Sequence, residues 1–321
     1  MTQISEEPIP TATEAAPSEP APRRSWRRRR LASAVTAVVV VLGLGVGLGV
    51  LLWPSSSSVA EGLTSDERAA MQAAGTAVVD LVSYSRSSFD DDYDRALAAT
   101  TGKLHDDMAS TKTQTLQTMK KGGFDLAAKL DETALVAAPD GEGTNVLVVV
   151  SGWTVDDAGK TSDPKIERVQ MTMQKVDGAW LASNLQVPDG AYQSTSSTDA
   201  RQQVVDAATS CLTAMNTYDY RSVDDTKQRG MACTTGSFTD HYATSFDQVT
   251  KAATKAKSSQ TFQVTGAGIQ ELSGDKATLL VFAQLETTVG KDSPQYGVLS
   301  AVVSMQKVDG TWKVAGYRTA P

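Results

Sequence analysis

Cysteine and histidine are scarce in this chain, with two of each among 321 residues. Two cysteines are too few for a disulfide-stapled scaffold, and they lack the clustered spacing of a zinc site. Two histidines leave little material for imidazole acid–base or metal chemistry. No phosphate-cradling glycine loop and no activated-nucleophile arrangement appears. Aromatic residues make up 6% of the chain, so its cores must be built from Val, Ala, Leu and Met. Positive charge is short as well. Residues 1–30 hold six Arg against four Glu, so of the formal net charge of −7 the rest of the chain carries −9. An acidic body excludes a nucleic-acid surface, which needs clustered Lys and Arg. Taken together these shortages predict no metal, no cofactor, no nucleic-acid partner and no enzyme active site.

What the chain does have begins at its N-terminus. Leu31 to Trp53 is an uncharged apolar run. As a helix of about 23 residues it rises roughly 34 Å, enough to cross a bilayer core. Arg23, Arg24 and Arg27 to Arg30 precede it, and no comparable basic cluster follows. The positive-inside rule then places the N-terminus in the cytoplasm and everything after residue 53 outside the cell membrane. A cleaved signal peptide is the competing reading, with Ser58-Val59-Ala60 as its cleavage site. The apolar run is longer than the usual 7–15 residues of a signal core, which favours an uncleaved anchor. Gly43, Gly45, Gly47 and Gly49 alternate within the run, forming two overlapping small-xxx-small pairs that would let two copies of the helix associate. Glycine is also simply common in membrane helices. Residues 1–22 are too poor in large apolar groups to fold, so residues 1–30 read as a disordered cytoplasmic tail with a basic end. Residues 54–63 read as a linker.

The remainder repeats itself. Met173-Gln-Lys-Val-Asp-Gly-Ala-Trp180 returns as Met305-Gln-Lys-Val-Asp-Gly-Thr-Trp312, and Thr100-Thr101-Gly102 returns as Thr234-Thr235-Gly236. Tyr84, Asp90-Asp91 and Arg95 match Tyr218, Asp224-Asp225 and Arg229. Nearly constant offsets of 134 and 132 predict a duplicated module with one small indel, at residues 64–190 and 199–321, joined by a linker at 191–198. In each copy a helical apolar period comes first: Met71, Ala74, Val78, Leu81 and Val82 in one, Val204, Ala208, Cys211, Leu212 and Met215 in the other. Thr64 and Glu67 have capping-box spacing. The Asp pairs suit the start of a second helix, and a third follows Thr-Thr-Gly. β-branched runs then take over, at Val146 to Val150 and Ala277 to Phe282. Asp177-Gly178 and Asp309-Gly310 predict tight type I′ hairpins. The expected fold class is therefore α+β: one N-terminal transmembrane helix followed by two modules, each of three helices on an antiparallel sheet.

That order resembles the cone-shaped fold of nuclear-transport-factor-2-like and SnoaL-like proteins. Thr217-Tyr-Asp-Tyr-Arg-Ser-Val-Asp-Asp225 and Thr235-Gly-Ser-Phe-Thr-Asp-His-Tyr242, following a basic tail and one membrane helix, resemble the actinobacterial Mce-associated membrane proteins. The resemblance implies curved sheets and an accessory, scaffold or binding role beside an Mce-type lipid importer, with Mce-family proteins or the importer's permease as partners. The doubled module is a departure, since many such proteins carry one copy. Two rival classes are a conjugative-transfer, type IV secretion-like assembly protein with two such modules on one membrane helix, and a SnoaL-like enzyme.

Enzymes of this fold place Asp, His or Tyr inside the cone. His105 and His241 fall near the start of the third helix, out of register between copies, and read as helix-surface residues. Asp90, Asp91 and Asp92 read as helix-start charge rather than a metal site. Cys211 lies on the apolar face of the first helix of copy two and Cys233 at the end of the second. Their counterparts 134 residues earlier are Ala77 and Ala99. Two small residues that become cysteine together, outside the cytoplasm, predict a disulfide; buried free thiols are the alternative.

Overall fold

The computed structural model describes residues 62–136, 143–192 and 200–321. The tail, the apolar run with Gly43, Gly45, Gly47 and Gly49, most of the first linker and residues 193–198 of the second lie outside these. Among the described residues no helix is long and apolar enough to cross a membrane.

The fold is α+β with antiparallel strands. Three helices open the first half: α1 (Ser65–Val82), α2 (Phe89–Ala98) and α3 (Gly102–Gly122). Four strands follow: β1 (Phe124–Leu135), β2 (Thr144–Asp156), β3 (Lys165–Val176) and β4 (Ala179–Gln186). The second half runs α4 (Ala200–Asn216), a two-residue strand β5 (Tyr218–Asp219), α5 (Val223–Cys233), α6 (Ser237–Ala256), then β6 (Ser258–Ser273), β7 (Lys276–Val289), β8 (Gln295–Val308) and β9 (Thr311–Thr319).

Local chemistry explains the boundaries. Thr64 caps α1: its Oγ1 accepts from Glu67 N at 3.2 Å, and Thr64 N donates to Glu67 Oε2 at 2.7 Å. Such a cap is worth about 1 kcal/mol. The chain leaves α3 through Gly123 at φ 66°, in the left-handed conformation that closes a helix C-terminus. Both Asp-Gly pairs have positive φ at both residues, 49° and 86° at Asp177-Gly178 and 49° and 78° at Asp309-Gly310. That is the type I′ signature, and it closes the hairpins β3–β4 and β8–β9.

Among the described residues, four of the five ladder irregularities fall at matching places in the two halves, and the fifth, at Gln270 of β6, is unmatched. The β1 ladder skips Asp131 and the β6 ladder skips Thr265, 134 residues on. The β4 ladder skips Ser183 and the β9 ladder skips Ala315, 132 residues on. Each such bulge bends its strand and curves the sheet. Outside the strands, Thr100 bridges to Ala182 as Thr234 does to Val314.

The strands were expected to form two separate sheets. They form one, in the order β4-β3-β2-β1-β6-β7-β8-β9, with β5 beside β6. The join is narrow, a single paired position, Leu135 against Ile269. Gly268 permits it, because a Cβ there would lie 2.8 Å from the Leu135 carbonyl oxygen. The continuous apolar runs now have a physical reason. Val146, Val148 and Val150 face the helices of the first half, in a core with Ala74, Val78 and Met171. The alternate residues Leu147 and Val149 face the other way, against Leu280, Phe282 and Val302 of the second half. Helices cover one face of each strand set and the opposite half covers part of the other, so these strands lack the polar alternation of a half-exposed sheet. A second tie joins the helices: Glu67 takes a two-pronged ion pair from Arg201, at 2.5 and 3.0 Å. Burial works against the Glu67 charge, but the hydrogen bonds from Arg201 and Thr64 outweigh it and hold the carboxyl below its ordinary range.

Candidate functional site

Concavity in an α+β module arises where the curved sheet lifts away from the helix laid across it. In the second half that space lies between α6, the end of α4 and the inner face of β6 to β9. It is a cavity of about 260 Å³.

Phe238, Tyr242 and Phe246 form the helical wall, Leu285 and Leu299 the sheet, and Met215 the end of α4. α6 presents its aromatics at helical spacing, and Tyr242 and Phe246 pack with ring centroids 5.4 Å apart. No Asp, Glu, Lys or Arg lines the cavity. Most of its polar groups are already engaged. Gln260 Nε2 donates to the Asn216 carbonyl at 2.8 Å and Tyr242 OH donates to that of Met215 at 3.2 Å. Tyr317 OH has no hydrogen-bond partner among the described residues. Burial pushes the phenols of Tyr317 and Tyr242 well above their ordinary range, so both are neutral donors at any physiological pH. At the mouth, Tyr296 and Val298 on β8 are 77% and 62% exposed. Both are large side chains held in water beside the apolar cavity.

Most of the residues singled out in the sequence fall elsewhere. His105 ties down the end of α2, with Nδ1 3.1 Å from the Leu97 carbonyl oxygen and 3.2 Å from Thr100 Oγ1. His241, read as a helix-surface residue, is exposed but also stands on the cavity rim. Asp90 and Asp94 meet Lys112, while Asp92 accepts from Ser85 N and Ser88 Oγ, each at 2.9 Å. Among the described residues no group of His, Cys, Asp and Glu is arranged to hold a metal. Cys211 and Cys233 are bonded, with Cα atoms 5.6 Å apart, and the bridge pins the buried face of α4 to the end of α5.

Gln260, Thr287 and Tyr317 went unnoticed in the sequence. The signal was available in the repeat. By strand register Gln260 answers Leu126, and Tyr317 answers Leu185. A polar group in copy two replaces a leucine in copy one at both places, and Phe246 replaces Lys112.

No family model matches the chain. The outer membrane protein Rv1973 of Mycobacterium tuberculosis (strain ATCC 25618 / H37Rv) is 30% identical over 137 residues, which are 42% of this chain and 84% of that protein. The uncharacterized protein Rv1362c of the same strain is 33% identical over 141 residues, 43% of this chain and 62% of that one. Among solved structures, an NTF2-like protein involved in plasmid conjugation aligns over 79% of this chain and 96% of its own, at 12% identity and a TM-score of 0.26. That likeness is too distant to carry an argument. Identity at 30% across most of a relative's length does carry one, and the chain belongs to the family of the mycobacterial outer membrane protein Rv1973.

Proposed function

We propose that this chain is a non-catalytic envelope protein whose second module binds a small neutral apolar ligand. In this reading residues 1–30 are a cytoplasmic tail, residues 31–53 anchor the chain in the cell membrane, and two duplicated modules, 64–190 and 199–321, stand outside. The cavity carries the binding part of the reading. Its apolar walls reward an apolar guest. Burying an ionised group there without a partner would cost several kcal/mol, so the guest is neutral. No carboxylate lines the cavity, which supports binding over acid–base catalysis there. The envelope part is supported by the arginine cluster before an apolar run, and by relatives that carry the name outer membrane protein. The doubling is supported by bulges that recur 134 and 132 residues apart.

A role beside an Mce-type lipid importer rests on the resemblance of the 217–225 and 235–242 phrases alone. Its rival, a conjugative-transfer assembly protein, shares the same anatomy. Co-purification after crosslinking in cells separates them: importer permease and Mce proteins for the first, transfer ATPases for the second. Placement has its own test. Protease added to intact spheroplasts should digest the chain beyond residue 60 and spare an epitope fused to residue 1. A protected C-terminal half would refute the orientation.

A further inference from the structure

Contacts between the halves are not scattered. Leu135 pairs with Ile269, its own counterpart 134 residues on. Glu67 pairs with Arg201, again 134 residues on. Arg168 Nε donates to Ser300 Oγ at 2.7 Å, 132 residues on and at the equivalent position of β8 by strand register. Between these ties, Leu147 and Leu280 are counterparts by strand register, as are Val149 and Phe282, and all four lie in one buried cluster. Three separate layers of the fold, helix start, sheet join and sheet face, each bring a residue against its own repeat.

A residue meets its own equivalent only on or beside a two-fold axis. A translational stack of repeats would set the end of one against the start of the next. We infer that a pseudo-two-fold axis relates the halves, and that the surface between them is a self-complementary dimer interface made internal by duplication. The partner that surface fits is a second copy of the same module. This inference rests on the duplicated-module reading. The interface has also diverged from symmetry. Arg318 binds Glu132 at 2.7 Å and Gln270 donates to the same carboxylate at 2.7 Å, whereas the counterpart of Glu132 is Gly266, which has no side chain to repeat those bonds. The first half therefore prefers the second to a copy of itself.

The test starts from the full chain, with a protease recognition sequence placed within residues 193–199 and an affinity tag on half of the preparation. After cleavage the two fragments should co-elute at the size of the uncut protein. On mixing tagged and untagged cleaved protein in mild urea and then diluting, the tagged second half should recover untagged second half, at a smaller share than first half. Recovery of first half alone would contradict self-complementarity. Fragments that separate yet keep their circular dichroism would contradict the interface and leave the modules standing. Fragments that unfold on cleavage would contradict the module reading itself.

Discussion

Phe282→Ala should lower the melting temperature of the protein by roughly 6–20 °C, the largest effect expected of any single change here. Phe282 is 1% exposed and lies on the sheet face turned toward the opposite half. Truncating a buried phenylalanine costs about 3–5 kcal/mol, the lost transfer energy plus the cavity left behind. For a domain of this size each kcal/mol moves the midpoint by about 2–4 °C. The neighbours Leu147, Val149, Leu280 and Val302 come from strands held on both sides by ladder bonds, so little collapse can fill the space. The cost should also surface as a weakened bond between the halves, because the lost ring belonged to the cluster joining them. Differential scanning calorimetry of Phe282→Ala beside Phe262→Ala separates the two roles. Phe262 is buried within the second half's own core. Only Phe282→Ala should split the transition into two. One unsplit transition, or a shift under 2 °C, would contradict this account of the interface.

Replacing both Cys211 and Cys233 with Ala should lower the stability of the second half by about 3 kcal/mol, the loop-closure entropy of a 22-residue separation. The first half holds the same two helices with Ala77 and Ala99, so the fold should survive. Ala77 is buried and packs in the first core without a bridge. The double variant should thus show native circular dichroism with an earlier urea midpoint and a slope that rises, because the unfolded chain without the bridge is more open. In the unreduced native protein, a thiol reagent added after denaturation should find no free thiol. Two reactive thiols per chain would remove the bridge from the account.

Much of the fold could be read from residues because the phrases that recur along the sequence supplied a control for each reading. The capping box at Thr64 and Glu67, the Asp-Gly hairpins and the paired change at Ala77 and Ala99 all depend on chemistry within a few residues, or on a comparison of copies. The sheet join could not be read that way. It depends on one pair, Leu135 and Ile269, and on the missing side chain of Gly268, and a lone glycine in a strand looks the same whether it permits a bulge or a neighbour. The apolar runs at 146–150 and 277–282 were legible as strands, but not that both of their faces are covered, nor by what. The cavity was hidden for a different reason. Phe238, Tyr242 and Phe246 look like an ordinary core stripe on α6, and only the curvature of β6 to β9 leaves space beneath them. Tyr317, near the end of the last strand, gained meaning only beside its leucine counterpart.

The binding claim is tested most directly by calorimetric titration of the purified protein with 1-decanol and, separately, with decanoate. Decanol should bind at one site per chain, and decanoate at least tenfold more weakly, since no Lys or Arg lines the cavity to meet its carboxylate. Tyr317→Phe should weaken decanol about fivefold, the loss of one hydrogen bond of about 1 kcal/mol. Leu299→Trp, which fills the space from the sheet side, should abolish binding while leaving the melting transition in place. Equal affinity for decanol and decanoate, or decanol affinity untouched by Leu299→Trp, would contradict the assignment of this cavity as the site.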